Sequence, residues 1–326
     1  MAVKLFEKVK NQKWFSIYLV EIIALLALFA LGSFTINGFA TKQTILATLM
    51  LSSFLGIAAG GQTMVILLGA IDLSIPSIMS ASVMLVGFWT GHGWPFYAIV
   101  LALVFGAIFF GVASGLISKL LNINAMIVTL ATGAIVSGTT LIIVSGMVTS
   151  NGPTWLNNLS SLSKKIGFIP VPPVVGIWAV YAIITLLLLY KTTWGKRLYA
   201  AGANDRAAKL ALVNTNWTWL TAFVFSSVSA VLAGILLCGF AGSSYGNVAA
   251  PYLFTTVGSV VIGGTSTIGG RGGYGRTIFG ALIMTLIGTI TVGYGFDSAL
   301  QQAFLGFLIL LLMGFYGRTQ HVRLRI

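Results

Sequence analysis

Apolar runs of roughly membrane-spanning length recur along this chain and constrain its fold more than any other feature. They cover 17–34, 44–70, 76–91, 95–121, 125–147, 173–190, 217–241, 251–268, 277–295 and 299–316. About 20 helical residues, rising 1.5 Å each, cross the roughly 30 Å hydrocarbon core of a bilayer. Charged residues make up only 7% of the chain, against about 25% in a soluble domain, too few to cover a water-soluble surface of this size. The chain therefore reads as an all-α polytopic membrane protein with about ten transmembrane helices and lipid as its solvent. It leaves no room for a soluble catalytic domain. Two of the runs stand apart: 76–91 is short and begins with Pro76, and 251–268 is short and dense in Gly and Thr.

The formal net charge of +13 suggests nucleic acid at first sight. The cations argue against that partner, because they sit in short gaps between apolar runs, as the positive-inside rule places them. With Lys4, Lys8, Lys10 and Lys13 in the cytoplasm and ten crossings, Lys119 falls inside. So do Lys191, Lys196, Arg197, Arg206, Lys209, Arg271, Arg276, Arg318, Arg323 and Arg325. Only Lys42, Lys164 and Lys165 fall outside, so fifteen of the eighteen cations are cytoplasmic and both termini are inside. Nine crossings would move the basic tail outward and break that bias.

This divides the chain into a basic cytoplasmic N-terminus at 1–16, one transmembrane domain at 17–316 and a basic cytoplasmic tail at 317–326. The first apolar run lacks a clear small-residue cleavage site and reads as a retained helix rather than a signal, with Glu21 at the interface. The single cysteine, Cys238, lies within an apolar run and reads as a packed side chain. Two loops are long: an external one at 148–172 and a cytoplasmic one at 191–216. In the latter, Asn204 suits an N-cap, Asp205 a first turn, and Ala207 and Ala208 favour helix, which predicts a short helix at 205–212. The small-residue pairs Gly56/Gly60, Gly111/Gly115 and Gly242/Gly246 predict close helix packing.

Several motifs suggest chemistry that their context denies. Gly270 to Thr277 nearly spells a phosphate-binding loop, but Arg276 stands where Lys is required and apolar spans flank it. The run from Ile66 to Asp72 imitates a magnesium-holding strand end and meets the same objection. His92 and His321 have no carboxylate or cysteine beside them, which disfavours a triad or zinc site. Asp72 is the one carboxylate near a membrane interior. It reads either as the cap of a helix break, with Ser74 and Pro76 opening the next helix, or as the proton site of an ion-coupled carrier. Gln62 and Thr63 in the second run, with Thr129, Thr132, Ser137, Thr139 and Thr140 in the fifth, face either protein partners or a path for a neutral hydrophilic solute.

Four segments resemble the permease family of bacterial ABC importers for ribose and related sugars: Gly69-Ala70-Ile71-Asp72-Leu73-Ser74, Ile123 to Leu130, Gly195 to Asn204, and Val260 to Ser266 continuing through Gly269-Gly270-Arg271-Gly272. They occur in the family's order, and the resemblance covers roughly 40–320. It implies a permease subunit of the bacterial inner membrane, paired with a second permease subunit. A cytoplasmic ABC ATPase would drive it, holding ATP and magnesium, so that this chain binds no cofactor and no metal itself. A periplasmic or surface binding protein would deliver the solute, a neutral monosaccharide. A nucleoside or a sugar-derived signal is the alternative.

The same resemblance implies that Gly202, Asn204, Asp205, Arg206, Ala207, Ala208, Lys209 and Leu210 form the helix that docks on the ATPase. It makes Asp72, Ser74, Gly263, Gly264, Gly269 and Gly270 motif residues, and Gln62, Thr63, Asn124, Thr129 and Thr132 candidates for the solute path. The chain departs from the family pattern twice. Pro76 stands where the family usually has Gly, and Ala211-Leu212 stands where it usually has Ser-Gly after the docking helix.

Overall fold

The computed structural model describes residues 2–145, 152–241 and 247–317, with side chains from Tyr18 onward. Among the described residues it holds thirteen helices and no strand. They are α1 (Ala2–Thr35), α2 (Lys42–Leu67), α3 (Ile75–Gly91), α4 (Phe96–Leu120), α5 (Ala125–Ile143), α6 (Thr154–Leu159), α7 (Pro173–Lys191), α8 (Thr193–Ala203), α9 (Asp205–Leu210), α10 (Thr215–Ala241), α11 (Tyr252–Ile262), α12 (Tyr274–Gly293) and α13 (Ser298–Gly317). Seven are long and apolar enough to cross a membrane: α1 from Tyr18, α2, α4, α5, α7, α10 and α12. α3, α11 and the apolar part of α13 are shorter.

Each of the ten predicted runs contains one of these helices, but the expected 251–268 span does not form over that length. α11 stops at Ile262, so its 11 residues rise only about 17 Å, half the hydrocarbon thickness. Gly263 and Gly264 close it, with the Gly264 N–H donating to Val261 O at 2.8 Å. Likewise α2 ends at Leu67 rather than at 70. The 148–172 loop contains the short helix α6, and the 191–216 loop contains α8, neither of which is signalled by an apolar run. The predicted helix at 205–212 is α9 followed by a turn. Gly242/Gly246, His321 and the tail cations lie outside the described residues, as does part of the external loop.

α2 and α10 form the centre. From Ser52 to Leu67 every side of α2 is buried, as expected of a helix apolar all round. Its small residues set how closely the neighbours approach. Gly56 faces the Trp178 ring of α7, and a Cβ on Gly61 would lie 2.8 Å from Ser226 Cα on α10. The Tyr274 hydroxyl ties three helices together: it accepts from Trp178 Nε1 at 3.0 Å and donates to Gly56 O at 2.9 Å. α4 packs on α10 through Gly111 and Gly115, where added Cβ atoms would meet Val224 Cα at 2.7 Å and Leu220 Cα at 2.9 Å. The first two predicted small-residue pairs are thus packing contacts.

Glu21 is 4% exposed, and Arg276 Nε in the first turn of α12 donates to it at 2.7 Å, joining α1 to α12 at one end of the bundle.

The α4–α10 contact is testable within one helix. Gly111→Val forces a branched side chain against the α10 backbone and should lower the stability of the solubilised protein by about 1–3 kcal/mol. Gly106→Ala, where nothing lies within 4 Å, should leave it unchanged or raise it. Thermal unfolding in detergent checks both.

Candidate functional site

Two junctions organise the residues singled out above: a break between α2 and α3 inside the bundle, and a knot of glycines beside α9.

At the break, α2 ends in a turn whose Gly69 has φ +79, and the chain doubles back through 70–74 to start α3. The segment lies deep. Asp72 bonds Ser226, the twelfth residue of α10, about 17 Å along that helix. Non-helical backbone at such a depth persists only where protein groups satisfy it. Asp72, 2% exposed, supplies much of this: its Oδ1 accepts from the Ser74 N–H at 2.9 Å and the Ser74 hydroxyl at 2.6 Å, and its Oδ2 accepts from Ser226 at 2.7 Å. Thr129 of α5 accepts the Leu73 N–H at 3.0 Å. Asp72 therefore closes a turn onto Ser74 and fastens it to α10, rather than capping the first amides of α3 directly. Ser74 is the N-cap residue, and Pro76 sits in the first turn, where a missing N–H costs nothing. Ser226 was hidden in the sequence because nothing separates it from the other serines of its apolar run.

At the knot, the Leu67 carbonyl, an unpaired helix-end acceptor, takes the Gly270 N–H at 2.8 Å. Gly202 presses on the same carbonyl so closely that a Cβ there would overlap the oxygen. Gly269, at φ +100, lies where a Cβ would be 2.7 Å from Gly202 O. Tyr199 of α8 donates to Gly272 O at 2.7 Å. Gly263 packs on the Arg276 backbone, and Gly264 lies beneath the Arg276 guanidinium. The loop that resembled a phosphate cradle spends its amides internally, on Leu67 O and, from Gly273, on Thr265 Oγ1 at 3.2 Å.

α9 stands beside this knot. Asn204 ends α8 and caps α9, accepting the Ala207 N–H at 3.0 Å. Asp205 is paired with Lys119 of α4 at 2.6 Å and Lys209 at 3.0 Å. Lys119 also lies 4.9 Å from the Trp219 ring of α10. Partial burial pushes the Asp205 carboxyl up, but hydrogen bonds from Lys119 and Lys209 outweigh it and hold it below the usual carboxylate range. Ala208 is buried against the bundle, whereas Arg206, Ala207, Lys209 and Leu210 are exposed. The helix ends in two bonds, Leu212 N–H to Lys209 O and Val213 N–H to Ala208 O, each 3.0 Å. This is the Schellman pattern, which normally has glycine at the left-handed position. Leu212 occupies that position at φ +59, a conformation costing a β-carbon residue roughly 1–2 kcal/mol.

The five residues expected on a solute path are not brought together. Thr63 donates to Ala59 O at 2.6 Å and meets Thr277 at 3.0 Å; Thr132 meets Ser114 at 2.9 Å; Thr129 serves the break; exposed Asn124 caps α5, accepting from the Met126 N–H at 3.0 Å. Gln62 differs. It is fully buried, and neither its amide oxygen nor its nitrogen has a hydrogen-bond partner among the described residues. It shares an α2 face with Ala59 and Ile66, which pack with Val257, Val260 and Val261 of α11.

A bundle of membrane-length helices with a short charged helix held at one end is the architecture of a polytopic membrane protein. Residues 44–313 match the family described as the branched-chain amino acid transport system permease component, and the chain belongs to that family. It is the permease component of an ABC importer. It is 34% identical over 268 residues to the inner membrane ABC transporter permease protein YjfF of Escherichia coli K12, covering 81% of this chain and 80% of that one. It is 32% identical over 261 residues to the ribose import permease RbsC of Bacillus subtilis, covering 78% and 79%. It is 28% identical over 271 residues to the autoinducer 2 import permease LsrD of Salmonella typhi, covering 79% of each. No solved structure matches the chain significantly.

The geometry of Asp72 separates fastener from proton carrier. Asp72→Asn keeps an acceptor oxygen and should retain most of the uptake activity. Asp72→Ala strands the Ser74 and Ser226 donors and should cost about 1–3 kcal/mol of stability. Uptake by cells and thermal unfolding of the purified subunit read the two outcomes.

Proposed function

We propose that this chain forms the transmembrane pathway of an ABC importer for a neutral monosaccharide, with both termini cytoplasmic and ten crossings of the bacterial inner membrane. A cytoplasmic ABC ATPase carrying ATP and magnesium drives it through α9. A periplasmic or surface binding protein delivers the solute, and a second permease subunit, identical or different, completes the path.

α9 carries this reading. It is a short helix with an outward face of Arg206, Ala207, Lys209 and Leu210, fastened to α4 by Lys119 and set against the knot where α2, α8 and the 263–273 loop meet. A rigid element held at several points transmits a push from a docked partner as a rigid-body movement. The crossing number is supported by what gathers at one end: Lys119 in the last turn of α4, α8 and α9 after α7, the 263–273 loop before α12, and Glu21 near the start of the apolar part of α1. An alternating chain with the counted spans brings these segments to one side.

A neutral solute suits the interior. The buried carboxylates of Asp72 and Glu21 are already engaged, by hydroxyls and an amide and by Arg276, whereas the Gln62 amide is free to hydrogen-bond an uncharged hydroxyl. The ribose import permeases among the relatives support a sugar. The autoinducer 2 permease among them supports a sugar-derived signal as the second reading.

In vesicles containing the permease, its cognate ATPase and loaded binding protein, uptake should require ATP. Ala207→Arg, on the exposed face of α9, should abolish uptake and ATPase stimulation without changing the melting temperature. Uptake that persists without the ATPase, driven by a proton gradient, would exclude the importer reading. Gln62→Leu removes an unbonded buried amide. It should hold or raise stability while reducing uptake about tenfold or more, and unchanged uptake would remove Gln62 from the path.

A further inference from the structure

Among the described residues, three without a glycine's freedom hold positive φ: Asn122, Ser145 and Leu212. The first two have short polar side chains of the kind that occupy such backbone positions by bonding locally. Leu212 has no such compensation. Its side chain is 94% exposed, so packing within this chain does not offset the strain. Two residues earlier Leu210 is 87% exposed, and the pair forms an apolar tip on the turn that ends α9.

The segments that carry this tip are charged: Arg206 and Lys209 on α9 are exposed, as are Lys196 and Arg197 on α8, and Lys209 pairs with Asp205. Two protruding leucines on a segment that also carries exposed cations complement one kind of surface, an apolar pocket with an acidic rim. The apolar centre would supply affinity, and the charged rim orientation and discrimination.

We propose that Leu210 and Leu212 are the apolar anchor by which this permease selects its ATPase, and that the left-handed turn at Leu212 is held in strain to present that anchor. This rests on α9 being the docking element and adds to it the residues that choose the partner. Glycine at position 212 would form the same turn without strain but would present nothing.

The test uses the full permease with its cognate ATPase and reads stability and association separately. Leu212→Gly should leave the melting temperature of the permease unchanged or raise it, yet weaken ATPase association about tenfold or more. Leu212→Asn, which tolerates the same backbone, and Leu210→Ser should weaken association likewise. If these three variants bind the ATPase as wild type does while Ala207→Arg abolishes binding, the docking reading stands and the leucine anchor is overturned. If Ala207→Arg binds normally as well, the docking reading itself fails. Loss of binding to anionic phospholipid vesicles with ATPase association intact would assign the tip to the membrane surface and overturn the proposal.

Discussion

A helix that stops inside a bundle leaves backbone groups without water to bond, and the plan of this bundle follows from how α2 is terminated. Its last carbonyls need donors and the segment that follows needs acceptors, about 17 Å from the nearer end of α10. Both needs are met from distant parts of the chain. Gly270 bonds the Leu67 carbonyl, Thr129 takes the Leu73 amide, and Asp72 gathers Ser74 and Ser226. Helices α2, α3, α5 and α10 and the loop before α12 are thereby tied at two points. A change in the position of any one is felt at the break.

The same logic explains why the glycines sit where they do. Gly202 and Gly269 have no room for a β-carbon because the Leu67 carbonyl, α8 and the 263–273 loop meet there backbone to backbone. Side chains at such a meeting would separate the elements and cut the α2 end off from α8, and with it from α9. Lys119 adds a second attachment, pairing with Asp205 from α4 while lying against Trp219 of α10. α9 is thus joined to α2 through backbone contacts and to α4 and α10 through one lysine. Movement of α9 has few ways to dissipate before it reaches the helices that flank the break.

Much of this was legible from residue order alone, for reasons that differ by element. The apolar runs located ten helices because lipid demands length and hydrophobicity, and Asn204 with its alanines located α9 through capping and propensity. What escaped was whatever depends on tertiary pairing. α8 has a mixed sequence and a long apolar stripe is absent, so no run marked it. The early stop of α11 is set by the turn at Gly263 and Gly264, although the apolar and threonine-rich sequence continues past it. The ion pair of Glu21 was not legible because its partner, Arg276, is 255 positions away. The polar residues of α2 and α5 formed one group in sequence, yet most of them satisfy a helix, a cap or the break, each on its own side.

Where local rules are broken without local compensation, the cause lies outside the chain or in what passes through it. Two such places bear on the proposed function. The Gln62 amide is buried on the α2 face toward α11 with its donors and acceptor unspent, at a cost that a leucine would avoid. Leu212 holds a glycine's conformation at the turn that ends α9 and buries nothing by it. One lies within the bundle and the other at the turn after α9, with the α2 terminus and the glycine knot between them. A subunit that moves solute with energy received from a partner needs one surface for each, and these two residues lie where the proposed path and the proposed docking helix would offer them.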